Sequence, residues 1–219
     1  MARYYNIEGV KLPSVTSILD IQDKGEGLLK WACNLGYKES RRVFSEAQHR
    51  GIHAHSLMAD IISGKLGVEK DEEWIAREVN LRSFFEKAGL VVDKETLSEY
   101  PVHSLRYGYA GTLDLCANFN SFPGLTGPAR LVLDLKTTSA IRDSCKMQTV
   151  AYMVALQERK PDMQVDGRGV LWFNDKGEIV PKLYKRSQDI SDFMGFVGLL
   201  EAFNWVNRNR FLIEEKSDG

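Results

Sequence analysis

The 219-residue sequence has few cysteines, no long apolar run and almost no net charge. Its three cysteines, Cys33, Cys116 and Cys145, are too scattered for a disulfide framework, a zinc site or an iron–sulfur cluster. No apolar run approaches the length of a membrane span, and the N-terminal residues lack the apolar stretch of a signal peptide. We therefore expect a protein of a reducing, cytoplasmic compartment that does not contact a membrane.

The formal net charge of −1 gives no sign of a strongly basic nucleic-acid-binding surface. This does not exclude a metal-dependent nuclease, because bound cations supply positive potential locally. The hydrophobic content of 43% is ordinary for a globular chain of this length, which is long enough for one sizeable core. We expect a single domain over 1–219, with a mainly helical portion (1–90), a sheet core (91–186) and a C-terminal helix (187–219).

The pattern of apolar residues changes near residue 91. Before it, a short strand or hairpin around Glu8-Gly9 is followed by apolar periodicity that predicts helices over 26–48, 47–63 and 72–88. After it, alternating segments predict strands, interrupted by a helix over 144–159 and followed by a last helix from about residue 187. Strands flanked by helices predict an α/β fold with a central mixed sheet. The expected buried anchors of the first and last long helices are Trp31, Leu35 and Phe44, and Ile190, Phe193, Met194, Val197 and Leu200.

Two carboxylates and one ammonium group occur on two of the predicted strands. Asp114 lies in Gly-Thr-Leu-Asp, and Asp134 and Lys136 lie in Leu-Val-Leu-Asp-Leu-Lys. Because residues two apart on a strand share a face, Asp134 and Lys136 project together, and the opposite face carries Leu131, Leu133 and Leu135. On the other strand, Asp114 is expected to project away from a common face of Leu113, Leu115 and Ala117. Neighbouring carboxylates offer the oxygen ligands that Mg²⁺ or Mn²⁺ takes, and such a metal assists phosphodiester hydrolysis.

The order of these residues resembles that of a nuclease superfamily. Asp114, the Asp134-Leu135-Lys136 string, and Gln148 followed four residues later by Tyr152 are similar to the motifs of PD-(D/E)xK nucleases, in the RecB-type branch. His55 matches the helical histidine that precedes the core in that branch. The segment Leu12–Leu19 is further similar to mitochondrial genome maintenance exonuclease 1 and related phage exonucleases. The chain departs from the motifs at two positions, with Leu113 where the superfamily has proline and Ile52 where threonine is usual.

The resemblance implies a restriction-endonuclease-like core and a role for each motif residue. The metal ligands would be His55, Asp114, Asp134 and the backbone oxygen of Leu135, binding Mg²⁺ or Mn²⁺. Lys136 would orient the attacking water or stabilise negative charge at the scissile phosphate. The helix face that carries Gln148 and Tyr152 would support the lysine and contact DNA.

For several further residues the sequence allows both a functional and a structural interpretation. Glu99 could complete the metal shell or be an ordinary strand-edge glutamate. Thr137 and Thr138 could bind phosphate or stabilise the local turn. Ser14 and Thr16 could meet the DNA backbone or cap the helix that follows them.

The function expected from the resemblance is divalent-metal-dependent hydrolysis of DNA from an end, with single-stranded ends preferred. The setting would be recombination, repair or replication in a bacterium or a phage. One alternative keeps the nuclease fold but makes the protein a structure-selective or duplex endonuclease. The alternative of another class is a catalytically inactive nucleic-acid-binding module.

Overall fold

The computed structural model describes residues 2–22, 25–65 and 71–214, with side chains as far as residue 207. Helices make up most of the described residues before β3, and a sheet follows. The strands are β1 (Tyr4–Ile7), β2 (Val10–Pro13), β3 (Leu90–Val91), β4 (Leu97–Ser104), β5 (Tyr109–Phe119), β6 (Ala129–Lys136), β7 (Gly167–Phe173) and β8 (Ile179–Leu183). The helices are α1 (Val15–Leu19), α2 (Gly25–Leu35), α3 (Tyr37–Ile62), α4 (Glu72–Lys87), α5 (Ser144–Arg159) and α6 (Asp189–Glu214).

The central sheet is mixed and has six strands. Strand β5 lies at its centre, with β6, β7 and β8 following in that order on one side and β3 and β4 pairing with the other. All neighbours are antiparallel except β6 and β7, which are parallel because α5 connects them as a crossover. The predicted α/β architecture with a mixed sheet is thus confirmed.

Helices cover both faces of this sheet. Apolar residues of α1, α5 and α6 form one core cluster with side chains such as Tyr109 and Val132. Residues of α3 and α4 form a second cluster with side chains such as Leu115, Leu131 and Leu133. The predicted leucine face of β6 therefore packs as expected. The common face predicted for Leu113 and Leu115 is wrong, since Leu113 belongs to the first cluster.

The N-terminal hairpin of β1 and β2 is attached to the central strand β5. Ser14, just after β2, forms an isolated parallel bridge with Ala110. The Tyr5 hydroxyl lies 3.0 Å from the Thr112 hydroxyl, within hydrogen-bonding distance. Ser14 then caps α1, because its side chain accepts a hydrogen bond from the backbone N–H of Ser17. The hairpin and α1 are in this way fixed beside the middle of the sheet.

The predicted boundary between the first two long helices is wrong. The chain breaks at Gly36, whose φ of 78° favours glycine, and α3 then runs through the predicted boundary near residue 47. Leu35 and Phe44 are substantially exposed, and Phe44 packs edge-on against Trp31 of α2. Trp31 and Phe44 thus contact each other where α2 packs on α3.

The prediction for the last helix is confirmed in part. Phe193 and Leu200 are buried and Val197 packs against the same cluster, whereas Ile190 and Met194 are exposed. Phe196 and Phe203, which were not predicted, are buried as well. Phe196 packs edge-on against Tyr109 of β5, with ring centroids 4.8 Å apart, which sets the rotation of α6 on the sheet. Within the described residues, no helix is both long and apolar enough to cross a membrane.

Candidate metal and active site

Three carboxylates lie in one row across β4, β5 and β6. The residue pairs flanking the row place Glu99 opposite Asp114, and the β5–β6 register continued by one residue places Asp114 beside Asp134. The β4–β5 pairing skips this row and the β5–β6 pairing ends one residue before it. The flanking pairs are Ser98↔Leu115, Tyr100↔Leu113 and Leu115↔Leu133.

Asp114 takes over a hydrogen bond that the strand ladder would otherwise make. Its side chain is 5% exposed, and Oδ2 accepts a hydrogen bond of 2.7 Å from the backbone N–H of Leu135. The carboxylate thus joins β5 to the end of β6 and holds the backbone of Leu135 beside the row. The predicted ligand role of the Leu135 carbonyl oxygen stays a prediction.

His55 reaches this row from the helix α3. Its Nδ1 lies 3.3 Å from Oδ1 of Asp114 and 3.4 Å from Oε1 of Glu99. Burial lowers the pKa of His55, but the carboxylates of Asp114, Glu99 and Asp134 outweigh burial and raise that pKa to about 10. One ligand atom from each of His55, Glu99 and Asp114 can be chosen so that all three lie within 4.8 Å of one another. The structure therefore brings together the three side chains on which a shared cation would depend.

Glu99 occupies this position with an unusual backbone. Its φ of 48° lies in the left-handed region, which costs a residue other than glycine about 1 kcal/mol. This backbone carries a carboxylate whose Oε1 lies 3.4 Å from Nδ1 of His55. The structure places Glu99 beside His55 and Asp114, as the metal-ligand interpretation requires. Its role as a ligand stays a prediction.

Asp134 is the most deeply buried of the three carboxylates. It is 1% exposed, and burial raises its pKa to about 6 against the opposing effect of Lys136. Lys136 Nζ forms an ion pair with Oδ2 at 2.7 Å, yet neither carboxylate oxygen has a hydrogen bond of good geometry among the described residues. Buried oxygens that lack hydrogen bonds are costly, and a cation would satisfy them.

Lys136 is held by a chain of hydrogen bonds to α5. Its Nζ donates to Oε1 of Gln148 at 3.0 Å, and Nε2 of Gln148 donates to the Tyr152 hydroxyl at 3.2 Å. Burial lowers the pKa of Lys136, but Asp134 and Asp114 raise that pKa by more than burial lowers it, so the ammonium stays charged. The neighbouring Gly111 permits this packing, because a Cβ there would lie 2.6 Å from Cε1 of Tyr152.

These groups surround a cavity of about 250 Å³. Among the lining residues that were not predicted as site residues are Arg3 and Tyr5. They lie outside every quoted motif, and a hairpin prediction alone does not say which strand the hairpin will contact. The lining residues are Arg3, Tyr5, Ser14, Val15, Thr16, His55, Glu99, Gly111, Thr112, Asp114, Lys136, Gln148 and Tyr152.

The predicted DNA-contacting residues fall in different surroundings. Ser14 is buried and caps α1, and Thr16 is exposed on the same wall of the cavity. Thr138 donates its hydroxyl hydrogen bond to a backbone carbonyl two residues later, as in the turn reading. Thr137 lines a separate cavity of about 310 Å³ together with Arg50. DNA contact by the four predicted residues stays a prediction.

The donor set fits a hard divalent cation. Two carboxylates and an imidazole, with a third carboxylate buried beside them, match the ligands that Mg²⁺ and Mn²⁺ accept in proteins. Comparison with protein-family models finds no matching family, and comparison with curated protein sequences finds no significant match. The chemical argument for the site therefore depends on this chain's own residues.

Proposed function

We propose that this protein is a divalent-metal-dependent deoxyribonuclease of the PD-(D/E)xK type, with a restriction-endonuclease-like core. The observation that carries the proposal is the convergence of His55, Glu99 and Asp114 beside the buried, hydrogen-bond-deficient Asp134. Lys136 forms an ion pair with Asp134. A sheet that needed only stability would not gather three carboxylates at one interruption of its ladder.

The residues that would hold the metal are His55, Asp114 and Asp134, with Glu99 and the Leu135 carbonyl as further donors. When bound, the metal would activate water and offset negative charge at phosphorus. Asp114 has a second task that needs no metal, because its bond to the Leu135 N–H fixes the distance between β5 and β6 at the site.

Lys136 acts in this proposal as a permanent positive charge. Its ammonium remains protonated beside two carboxylates, which suits stabilisation of a phosphate's developing charge and not removal of a proton. Gln148 restricts the ammonium to one position, and Tyr152 in turn holds the amide of Gln148. The two α5 residues thus position the charge that the reaction needs.

The substrate we propose is single-stranded DNA with a free end. This preference comes from the resemblance to phage exonucleases, and the N-terminal hairpin that walls the cavity is compatible with a single strand. Release of nucleotides from a strand end, in recombination, repair or replication, is the corresponding activity.

The proposal is tested with purified full-length protein and end-labelled linear single strands, linear duplexes and closed circles, each with Mg²⁺, Mn²⁺ or EDTA. We expect metal-dependent release of nucleotides from linear single strands and none in EDTA. Lys136→Ala should abolish the release, whereas the matched control Lys30→Ala, which removes an exposed lysine paired with Glu26 on α2, should not.

The two alternatives give different results in the same assay. Cutting of closed circles would identify an endonuclease. Binding of DNA without cleavage under any metal condition would identify an inactive binding module. Cleavage that survives both Asp134→Ala and Lys136→Ala would show that the active site lies elsewhere.

A further inference from the structure

We propose that Arg3, supported by the ring of Tyr5, forms a phosphate-binding site in the wall of the cavity that contains Asp114. The ligand class is a phosphodiester group of the bound strand. This inference deepens the proposed function and rests on it, and it assigns a residue to which no motif pointed. Four observations carry it: a stacked guanidinium, a fixed backbone, an uncompensated charge and a position in the cavity wall.

The guanidinium of Arg3 lies over an aromatic platform that is tied to the metal-site strand. Its Cζ is 4.8 Å from the centroid of the Tyr5 ring, in the range of a cation–π contact. The Tyr5 hydroxyl reaches the hydroxyl of Thr112 at 3.0 Å. Thr112 lies two residues before Asp114 on β5, so the platform and the metal site share one strand.

The backbone of Arg3 is held on both sides, although the residue is close to the N-terminus. Its N–H donates to the Ser17 hydroxyl at 2.8 Å, and its carbonyl accepts from the backbone N–H of Ser14 at 2.9 Å. Ser14 and Ser17 belong to the first turn of α1, where they also bond to each other. The position of Arg3 relative to the cavity is therefore set by the fold and is not that of a loose chain end.

The charge of Arg3 is not compensated within the protein. Among the described residues, the exposed Arg3 forms no ion pair, whereas Lys136, another cation of the cavity, is paired with Asp134. A guanidinium offers a planar set of donors that matches phosphate oxygens, and stacking on a ring leaves its edge free to donate. In a chain with a net charge of −1, a free arginine in the wall of an acidic cavity is well suited to hold a phosphate.

A second arginine of the chain provides a matched control. Arg106 lies over the ring of Tyr107, with Cζ 5.3 Å from the centroid, in the same type of contact. It does not line the cavity that contains Asp114. Loss of Arg106 removes an equal charge and an equal stacking contact, so a difference between the two arginines reports on position alone.

The test measures binding of a fluorescent single-stranded oligonucleotide across a range of NaCl concentrations, with Mg²⁺, in a Lys136→Ala background. We expect Arg3→Gln to weaken binding about tenfold and to reduce the slope of log K against log salt by about 0.7, the value for one phosphate contact on a single strand. Arg3→Lys should retain the slope but bind a few-fold more weakly, because lysine lacks the planar set of donors. Arg106→Gln should leave both quantities unchanged.

Cleavage rates in the otherwise unmodified protein complete the design, and thermal midpoints verify that each variant folds. Equal effects of Arg3→Gln and Arg106→Gln, or no binding at all, would overturn the Arg3 site. Arg3-dependent binding without cleavage would reject the nuclease proposal while supporting the site. Cleavage that does not depend on Arg3 would support the nuclease proposal and reject the Arg3 site. Should Arg3→Gln fail to fold, Arg3→Lys and Tyr5→Leu are compared instead. Tyr5→Leu removes the aromatic platform and should weaken binding more than Arg3→Lys does, and the opposite order would overturn the site.

Discussion

The protein buries two charged groups in opposite ways. Arg168 on β7 is 0% exposed, and its guanidinium forms ion pairs with Asp189 and Asp192 of α6. It also donates 2.7 and 3.1 Å hydrogen bonds to α5, at the Lys146 carbonyl and the Thr149 hydroxyl. Asp134 is as deeply buried, yet it has one ion pair and no hydrogen bond of good geometry among the described residues.

The difference separates a charge that the protein satisfies by itself from one that it leaves short of partners. Because its donors are matched, Arg168 connects β7, α5 and α6 without help from outside the chain. The oxygens of Asp134 are left short of partners in the protein alone, and burial makes that shortage costly. In the proposed function a divalent metal would supply that partner, so we expect the two sites to respond very differently to mutation and to metal.

The largest effect is expected from Asp134→Asn. Loss of a buried negative charge at the metal site should reduce metal-dependent cleavage by about 10³-fold or more, comparable to loss of a main electrostatic contribution to catalysis. The free energy of unfolding without metal should fall by less than in Arg168→Met, because relief of a charge that burial disfavours offsets part of the cost of leaving Lys136 without its ion-pair partner. Initial rates and urea titrations measure the two quantities, and a large loss of stability would contradict the comparison.

Arg168→Met should give the opposite result. It leaves two aspartates without their cation and removes hydrogen bonds that join β7 to α5, so we expect a loss of about 3 kcal/mol in the free energy of unfolding. The cleavage rate of the folded fraction should stay close to that of the original protein. Urea titration measures the loss, with Lys30→Ala on the surface of α2 as a control that should change little.

Divalent metal should stabilise the folded protein through the acidic row alone. At a concentration of 100 times its Kd, Mn²⁺ should raise the free energy of unfolding by about 2.7 kcal/mol, because it binds the folded chain. The same increase is expected in Arg168→Met and none in Asp134→Asn. Thermal midpoints with Mn²⁺ and with EDTA test this, and equal stabilisation of both variants would place the metal elsewhere.

The smallest effect is expected at the support of the lysine. Gln148→Ala removes the hydrogen bond that restricts Nζ of Lys136 and should lower the cleavage rate about tenfold, the cost of about 1.4 kcal/mol. Tyr152→Phe removes only the more distant hydrogen bond and should cost less. Single-turnover rates separate these effects from substrate binding, and a larger loss in Tyr152→Phe would contradict the proposed order.

The sheet and the residues at its interruption could be predicted because their signals are local. Alternation identifies β4 to β7 along the chain, and a crossover helix between β6 and β7 makes that pair parallel. The same alternation places Asp134 and Lys136 on one face, as their ion pair confirms. The convergence of His55 on Asp114 was expected only through resemblance, because helix periodicity gives a face and not its contact.

Other features depend on contacts that no local pattern encodes. The break at Gly36 interrupts a continuous helical periodicity, and only the positive φ of the glycine reveals it. The buried face of α6 follows from the position of Arg168 and of Phe196 against β5, both of them long-range contacts. Arg3 and Tyr5 join the cavity because a hairpin docks on β5, which strand propensity cannot predict.

The left-handed backbone at Glu99 has a consequence for any attempt to improve this protein. Glycine would adopt that conformation without strain, so Glu99→Gly should yield a sturdier sheet that has lost one of its gathered carboxylates. A selection for heat resistance alone would therefore favour replacement of Glu99 and loss of its carboxylate. In the proposed site, this backbone strain is the cost of placing a carboxylate beside His55 and Asp114.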